Sequence, residues 1–303
     1  MVEPRAAGSV CVVGAALIDL ISYVPSLPRV GETLHGSDFR MGYGGKGANQ
    51  AVMAAKLGAE VTMVCKLGRD VFGEGTLENF REAGVDTTHV TFTEDAFSGV
   101  APIAVDPEGR NAIIIVTGAN DLVSLDDLER ARPAIAAAEV VVCQLELPVE
   151  TSLAALRIAR EEGVRTIFNP APARAELPEE LYRLSDVLCP NEPETELLVG
   201  RPAAGEDEAR ELLARGAGAV VLTLGERGCL VVEDETAEHL PVEPVRAIDT
   251  TGAGDAFVGA LAAFLASGDE LVAAAQRANA VAAISVQGHG TQTSFPTLAD
   301  LPG

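Results

Sequence analysis

The stretch that decides the fold runs from residue 140 to residue 169: Val140-Val141-Val142-Cys143-Gln144-Leu145, the amphipathic segment Glu150–Glu161, then Arg165-Thr166-Ile167-Phe168-Asn169. A short run rich in β-branched residues and apolar nearly throughout reads as a strand covered on both faces. Two such runs with a helix between them read as parallel neighbours in one sheet. The alternation continues outward in both directions. Val10–Val13, Val61–Leu67, Asp186–Cys189 and Ala219–Leu224 read as further strands. Ala48–Leu57, Gly73–Ala83, Leu125–Ala137, Glu206–Arg215, Ala253–Ala266 and Glu270–Val286 read as helices. The expected class is α/β, a central mostly parallel sheet with helices on both faces.

Two stretches break the pattern. Residues 19–43 contain Pro25, Pro28, Gly31 and Gly36 and little helical periodicity. Residues 97–116 read as two strands, GVAPIAV and NAIIIV, joined by the turn residues Asp106-Pro107-Glu108-Gly109-Arg110. Together they can form a small separate sheet, a lid that keeps water from a ligand site; ordinary edge hairpins would give the same pattern. Residues 1–303 are expected to form one domain carrying this lid.

Charge excludes several function classes. The formal net charge of −23 and the 4% aromatic content, with no Trp, repel nucleic acid and leave few platforms for stacked bases. Anionic lipid is disfavoured for the same reason. Any ATP site must concentrate positive potential locally, from a helix N-terminus, Mg²⁺ or the few cations available; the lysines are only Lys46, Lys56 and Lys66. Cys11, Cys65, Cys143, Cys189 and Cys229 form no C-x-x-C pair and read as buried thiols of a reducing compartment. His35, His89, His239 and His289 lack metal-ligand spacing. MVEPRAAGSV has no leader-peptide plan, and the apolar run near 257–266 is too short to span a bilayer. The expectation is a cytoplasmic protein.

Chemistry concentrates in a few segments. Asp249-Thr250-Thr251-Gly252-Ala253-Gly254-Asp255-Ala256-Phe257 is a polar, glycine-rich turn running into an apolar helix. Free amides at such a helix start suit the negative charge that develops on a transferring phosphoryl group, and a first-turn carboxylate can meet a hydroxyl nucleophile. Gly42-Tyr43-Gly44-Gly45-Lys46-Gly47-Ala48-Asn49-Gln50 is neither a Walker A loop nor a dinucleotide fingerprint. Its backbone, amide and ammonium suit a neutral polyhydroxyl ligand. Asn191 followed by Glu194 reads as a capping box that can also face Mg²⁺ and phosphates. Thr223-Leu224-Gly225-Glu226-Arg227-Gly228 reads equally as a nucleotide contact and as a plain turn, and Glu146 sits at a strand's carboxyl end, where open parallel sheets hold ligands.

Taken together, the G-G-K-G-A-N run at 44–49, Gln144-Leu145-Glu146, Asn169-Pro170-Ala171-Pro172-Ala173, Asn191-Glu192-Pro193-Glu194, Thr223-Leu224-Gly225 and the 249–255 turn resemble the ribokinase (PfkB-type) carbohydrate kinases over nearly the whole chain. The resemblance implies a Rossmann-like α/β domain with a small β-sheet lid, through which two copies usually pair as a homodimer. It implies ATP-dependent phosphorylation of a pentose 5-hydroxyl. Asp255 would be the catalytic carboxylate, with the backbone of Gly252, Ala253 and Gly254 as anion hole. Asp19, Gly45, Lys46, Gly47, Asn49 and Glu146 would hold the sugar. Asn191, Thr223, Gly225, Gly228, Gly254 and Asn279 would contact ATP, and Glu194 would act on Mg²⁺ through water. A monovalent cation, usually K⁺, would sit among Asp249, Thr251, Ser285, Gly288, Gly290 and Ser294.

One departure bears on the substrate. The family typically has Asn two residues before the sugar-binding Asp; in Gly14-Ala15-Ala16-Leu17-Ile18-Asp19 that position is Leu17. An aliphatic group leaves a sugar 2-hydroxyl without a partner, at about 1–3 kcal/mol. Deoxyribokinases likewise carry an apolar residue here, and Gly290-Thr291-Gln292-Thr293-Ser294-Phe295-Pro296 resembles theirs. The expected preference is therefore 2-deoxy-D-ribose, with D-ribose as the alternative. A nucleoside or other sugar kinase, or a non-catalytic sugar-binding protein on the same fold, are the remaining readings.

Overall fold

The computed structural model describes residues 8–202 and 204–301. The chain opens with β1 (Ser9–Val13), passes through β2 (Leu17–Tyr23) and β3 (Asp38–Gly44), and enters α1 (Lys46–Lys56). Next come β4 (Glu60–Gly68), α2 (Val71–Glu82), β5 (Asp86–Thr93), β6 (Gly99–Val105) and the short β7 (Asn111–Ile113). After α3 (Leu125–Ala137) follow β8 (Val140–Cys143), α4 (Val149–Glu161), β9 (Arg165–Phe168), α5 (Glu179–Arg183), β10 (Val187–Leu188), α6 (Glu192–Val199) and α7 (Glu206–Ala214). The order closes with β11 (Val220–Thr223), β12 (Cys229–Val232), β13 (Ala237–Leu240), α8 (Ala253–Ala266) and α9 (Leu271–Ser285).

Nine strands form the main sheet in the order β13-β12-β11-β10-β9-β8-β1-β4-β5. From β11 to β5 every pairing is parallel, and β12 and β13 pair antiparallel at one edge. The apolar strands follow from burial on both faces. In β1, Val10 and Val12 pack on one face with α1, α8 and α9, while Cys11 and Val13 pack on the other with α3 and α4. All five cysteines are buried, unpaired thiols. Among the described residues no helix is long and apolar enough to cross a membrane.

The direction in which successive strands are added reverses between β1 and β8, although the two are parallel: one half of the chain builds outward to β5, the other to β11. Such a switch point opens a crevice at the strands' carboxyl ends. Over it stands a separate four-stranded sheet, β3-β2-β6-β7, in which β2 pairs antiparallel with β3 and parallel with β6. Of NAIIIV only Asn111–Ile113 is strand. Ile114 N–H still donates to Pro102 O, but Pro102 has no N–H to return the bond, so the pairing is interrupted there and resumes only as the antiparallel bridge between Val100 and Val116.

Candidate functional site

Five strand ends deliver polar residues to the crevice. β1 runs on to Asp19, β8 into Gln144 and Glu146, β9 into Asn169, β10 into Asn191, and β11 ends at Thr223. Helices α1 and α8 enter from one face with their N-termini toward the same place. Gly45 precedes α1 with φ +89, and a Cβ there would come 2.7 Å from Leu17 N; Gly47 lies equally close to Gly14, at 2.7 Å. These contacts let the start of α1 pass against the end of β1.

Asp255 occupies the first turn of α8 and is 7% exposed. Its two carboxylate oxygens accept from two consecutive amides of α1: Asn49 Nδ2 at 2.8 Å and Gln50 Nε2 at 3.0 Å. Gly252 caps α8 in the left-handed region, φ +78, with no side-chain cap, and a Cβ there would strike Thr291 Cγ2 at 2.3 Å. The Ala253 amide is taken by Thr250 O (3.2 Å). The amides of Gly254 and Asp255 therefore point outward at the positive end of the helix dipole.

Glu146 Oε2 accepts from the Lys46 backbone N–H at 2.6 Å. Asp19 lies over Gly44, where a Cβ would come 2.5 Å from its Oδ2. Burial pushes the Asp19 carboxyl up to about 6, helped by the Asp255 charge. Burial likewise raises Glu146 to about 7, with Lys46 opposing and Asp255 and Asp19 adding. Glu194 is raised by burial against the pull of the Asn191 amide and Lys46. Burial works against the Lys46 charge, yet Asp255, Glu146 and Glu194 together hold its ammonium above the usual lysine range. One cation thus sits among three carboxylates.

Two connected cavities approach Asp255. The larger, about 700 Å³, runs between the Thr223–Gly228 turn, the segment around Val242–Ala247, and the faces of α8 and α9 at Phe257, Asn279 and Ala282. The smaller, about 150 Å³, is lined by Lys46, Asn191, Glu194, Gly252, Gly254 and Asp255. Thr223 and Gly254 line both. A Cβ on Gly254 would meet nothing within 4 Å, so this glycine opens directly onto the space.

Asn191 and Glu194 form the capping box of α6: Asn191 Oδ1 accepts from Glu194 N (2.8 Å), and Glu194 Oε2 accepts from Asn191 N (2.9 Å). Asn279 is tied to the antiparallel edge, donating to Leu240 O at 3.0 Å. The Thr223–Gly228 turn is a 3₁₀ turn joining β11 to β12, with Gly225 exposed and Gly228 at φ +88.

The positions considered for a monovalent cation come from three segments. Asp249 accepts from Thr251 N and Gly290 N, each at 3.0 Å, and these bonds keep its carboxyl below the usual range although burial works the other way. Ser285, Gly288 and Ser294 close on one another, a Cβ on Gly288 falling 3.0 Å from Ser294 Cβ. One carboxylate among backbone and hydroxyl oxygens fits a singly charged cation. No group of three His, Cys, Asp or Glu with metal-holding geometry occurs among the described residues. A divalent ion here would rest on Glu194 and on phosphate oxygens, the usual arrangement for Mg²⁺.

Leu17 and Asp19 share one face of the small sheet. Across from Leu17 stand Gly44 and Gly99, and across from Asp19 stand Gly42 and Ala101. A Cβ on Gly99 would fall 2.3 Å from Leu17 Cδ2, so the leucine leans over that glycine. Asn120, fully buried, clamps Ala16 beside it through both N–H (3.0 Å) and C=O (2.9 Å).

Sequence reading gave no role to Gln50, Asn79 and Gln292, and quoted Gln144 and Asn169 only within motifs. Gln292 donates to Asn49 Oδ1 (3.0 Å) and accepts from Asn79 (2.8 Å). The usable signal was the amide Gln50 at the head of the apolar helical run Ala51-Val52-Met53-Ala54, where a buried amide needs a partner.

The family model for pfkB family carbohydrate kinases matches residues 7–298. A ribokinase of Mus musculus is 47% identical over 311 residues, 99% of this chain and 95% of that protein. A deoxyribokinase of Salmonella typhi is 40% identical over 293 residues, 95% of this chain and 96% of that protein. The structure of an Arabidopsis thaliana ribokinase complexed with ribose and ATP superposes with a TM-score of 0.88 at 30% identity, over 97% of both chains.

Proposed function

Because the chain belongs to the pfkB family of carbohydrate kinases, as a pentose kinase of ribokinase and deoxyribokinase type, we propose that it transfers the γ-phosphoryl group of ATP to the 5-hydroxyl of 2-deoxy-D-ribose, and of D-ribose less efficiently. The observation that carries this reading is the junction of the two cavities at Gly254. A triphosphate extended along the larger one brings its terminal phosphoryl to the Gly254 and Asp255 amides, beside the Asp255 carboxylate.

Asp19, Gly45, Lys46, Gly47, Asn49 and Glu146 offer donors and acceptors to the sugar hydroxyls. Asp255 accepts the 5-hydroxyl proton as the oxygen attacks the phosphorus in line. Gly252–Gly254 and the start of α8 stabilise the charge spreading over the equatorial oxygens, with the Lys46 ammonium close by. The adenosine part lies against the Thr223–Gly228 turn and Asn279. Mg²⁺ held by Glu194 and phosphate, and a monovalent cation at 249–251 and 285–294, would supply further positive charge when bound. Residues 19–43 and 97–116 act as a lid, and water kept out of the closed site cannot compete as acceptor. Exposed apolar side chains on this sheet, Phe39 and Met41 on β3 and Ile113 on β7, support its pairing with a second copy.

The deoxyribose preference rests on Leu17, which offers no partner to a 2-hydroxyl. The ribose reading draws support from the higher identity to the mouse ribokinase. ADP release measured with both pentoses separates them: kcat/KM for ribose exceeding that for 2-deoxyribose by about tenfold, or 1.4 kcal/mol, overturns the preference. No ADP release with any pentose, or full activity in Asp255→Asn, overturns the kinase reading itself.

A further inference from the structure

Gln50 is fully buried, 0% exposed, and donates to Asp255. Side-chain amides can usually be turned end for end, but here the orientation follows from one atom that can only accept. That atom is the Cys189 carbonyl oxygen, which takes Asn169 Nδ2 at 2.8 Å. Asn169 Oδ1 is thereby left as an acceptor, and the group facing it at 3.1 Å must be the Gln50 amino group. Its second N–H reaches Asp255 Oδ1, so both Gln50 donors are used. Gln50 Oε1 in turn accepts from Gln144 Nε2 at 2.6 Å. Reversing any one amide would set acceptor against acceptor at a buried site.

An independent feature sets the distance. Gly259 lies one turn beyond Asp255 on α8, so both face α1. A Cβ on Gly259 would come 2.5 Å from Gln50 O and 2.8 Å from Met53 Cβ. The missing side chain lets α8 approach α1 at Gln50 itself.

We propose that Gln50 is a positioning residue for phosphoryl transfer: locked through Asn169 and Gln144, and brought close by Gly259, it fixes the rotation of the Asp255 carboxylate so that one oxygen faces the sugar hydroxyl. Asn49 holds the other oxygen and is 5% exposed, so it can also reach the ligand; Gln50 has no exposed surface and bonds only Asp255, Asn169 and Gln144. The inference rests on the kinase reading above. Its signature is a loss of turnover without a loss of binding, since a misaligned base slows the reaction while leaving the ligand contacts in place.

The test is steady-state kinetics of the full chain with pentose and ATP, alongside calorimetric binding of each, for wild type, Gln50→Leu, Gln144→Leu and Gly259→Ala. Gln50→Leu is expected to lower kcat about a hundredfold with sugar and ATP affinities changed less than about threefold. Gly259→Ala and Gln144→Leu are expected to lower kcat in the same selective way, by smaller factors, and they decide the matter if Gln50→Leu does not fold. Wild-type kcat in these variants, or kcat and affinities falling together, overturns the inference while wild-type turnover leaves the kinase reading standing. A wild type that binds pentose and ATP but releases no ADP overturns both.

Discussion

The two sides of the proposed sugar site are made of opposite materials. Along the α1–α8 crossing, Asn49, Gln50, Gln144, Asn169 and Asp255 are all buried and joined by side-chain hydrogen bonds of 2.6–3.1 Å. Across from them the small sheet presents Leu17 flanked by two glycines, one carboxyl, and backbone. A buried network in which, of the Gln50, Gln144 and Asn169 amide atoms, Gln144 Oε1 alone is left without a partner is rigid and intolerant, because each deletion strands a further group. A sheet face lined by small residues tolerates substitution. The chemistry is therefore assigned to the networked side and selectivity to the sheet side. Substitutions should separate accordingly.

The largest expected effect lies on the networked side. Asp255→Asn keeps the shape and removes the base, and should lower kcat by at least about a thousandfold in an ADP-release assay. Gly252→Ala attacks the same side through its backbone. It demands φ +78 of a residue with a Cβ that would overlap Thr291, and should cost about a hundredfold in kcat along with a lower melting temperature. On the sheet side, Leu17→Asn should shift the ribose to 2-deoxyribose ratio of kcat/KM about tenfold toward ribose, with the better substrate still turned over well.

Charge crosses the divide. Asp19 and Glu146 have folded values of about 6 and about 7, above their ordinary 3.8 and 4.5. The folded protein thus binds more protons across that window, and stability of the ligand-free protein falls as pH rises through it. Glu146→Gln should flatten this fall, seen as a smaller change in melting temperature between pH 5 and pH 8. The smallest catalytic effect belongs to Ile113→Lys on the outer part of the small sheet, 53% exposed in one chain. It should convert the proposed dimer to monomer in light scattering while kcat changes less than about threefold, and a wild type that is already monomeric removes the dimer proposal.

The fold was legible where periodicity was strong. Leu125–Ala137 and Ala253–Ala266 are helices with the bounds read from the sequence. β8 ends two residues early because Gln144 turns to bond Gln50 and Leu145 N–H goes to Ala171 O instead of a neighbouring strand. β5, β12 and β13 were not read: Ala-Glu-His-Leu at 237–240 has no apolar alternation, and β5 is mostly Thr and charge. Glycine-rich turns flagged Asp255 and Asn49, since closeness of backbone to ligand leaves a local mark. The Gln50 network left almost none, because its partners lie 94, 119 and 205 residues away. Side-chain amides that find each other only in the folded state have no spacing to read.

The measurement closest to the central claim is a crystal structure with 2-deoxyribose and a non-hydrolysable ATP analogue. The sugar 5-oxygen should lie about 3 Å from Asp255, in line with the terminal phosphorus, while the Gly254 and Asp255 amides face that phosphoryl group. A sugar bound away from Asp255, or a triphosphate whose terminal group stays outside the cavity at Gly254, would contradict it.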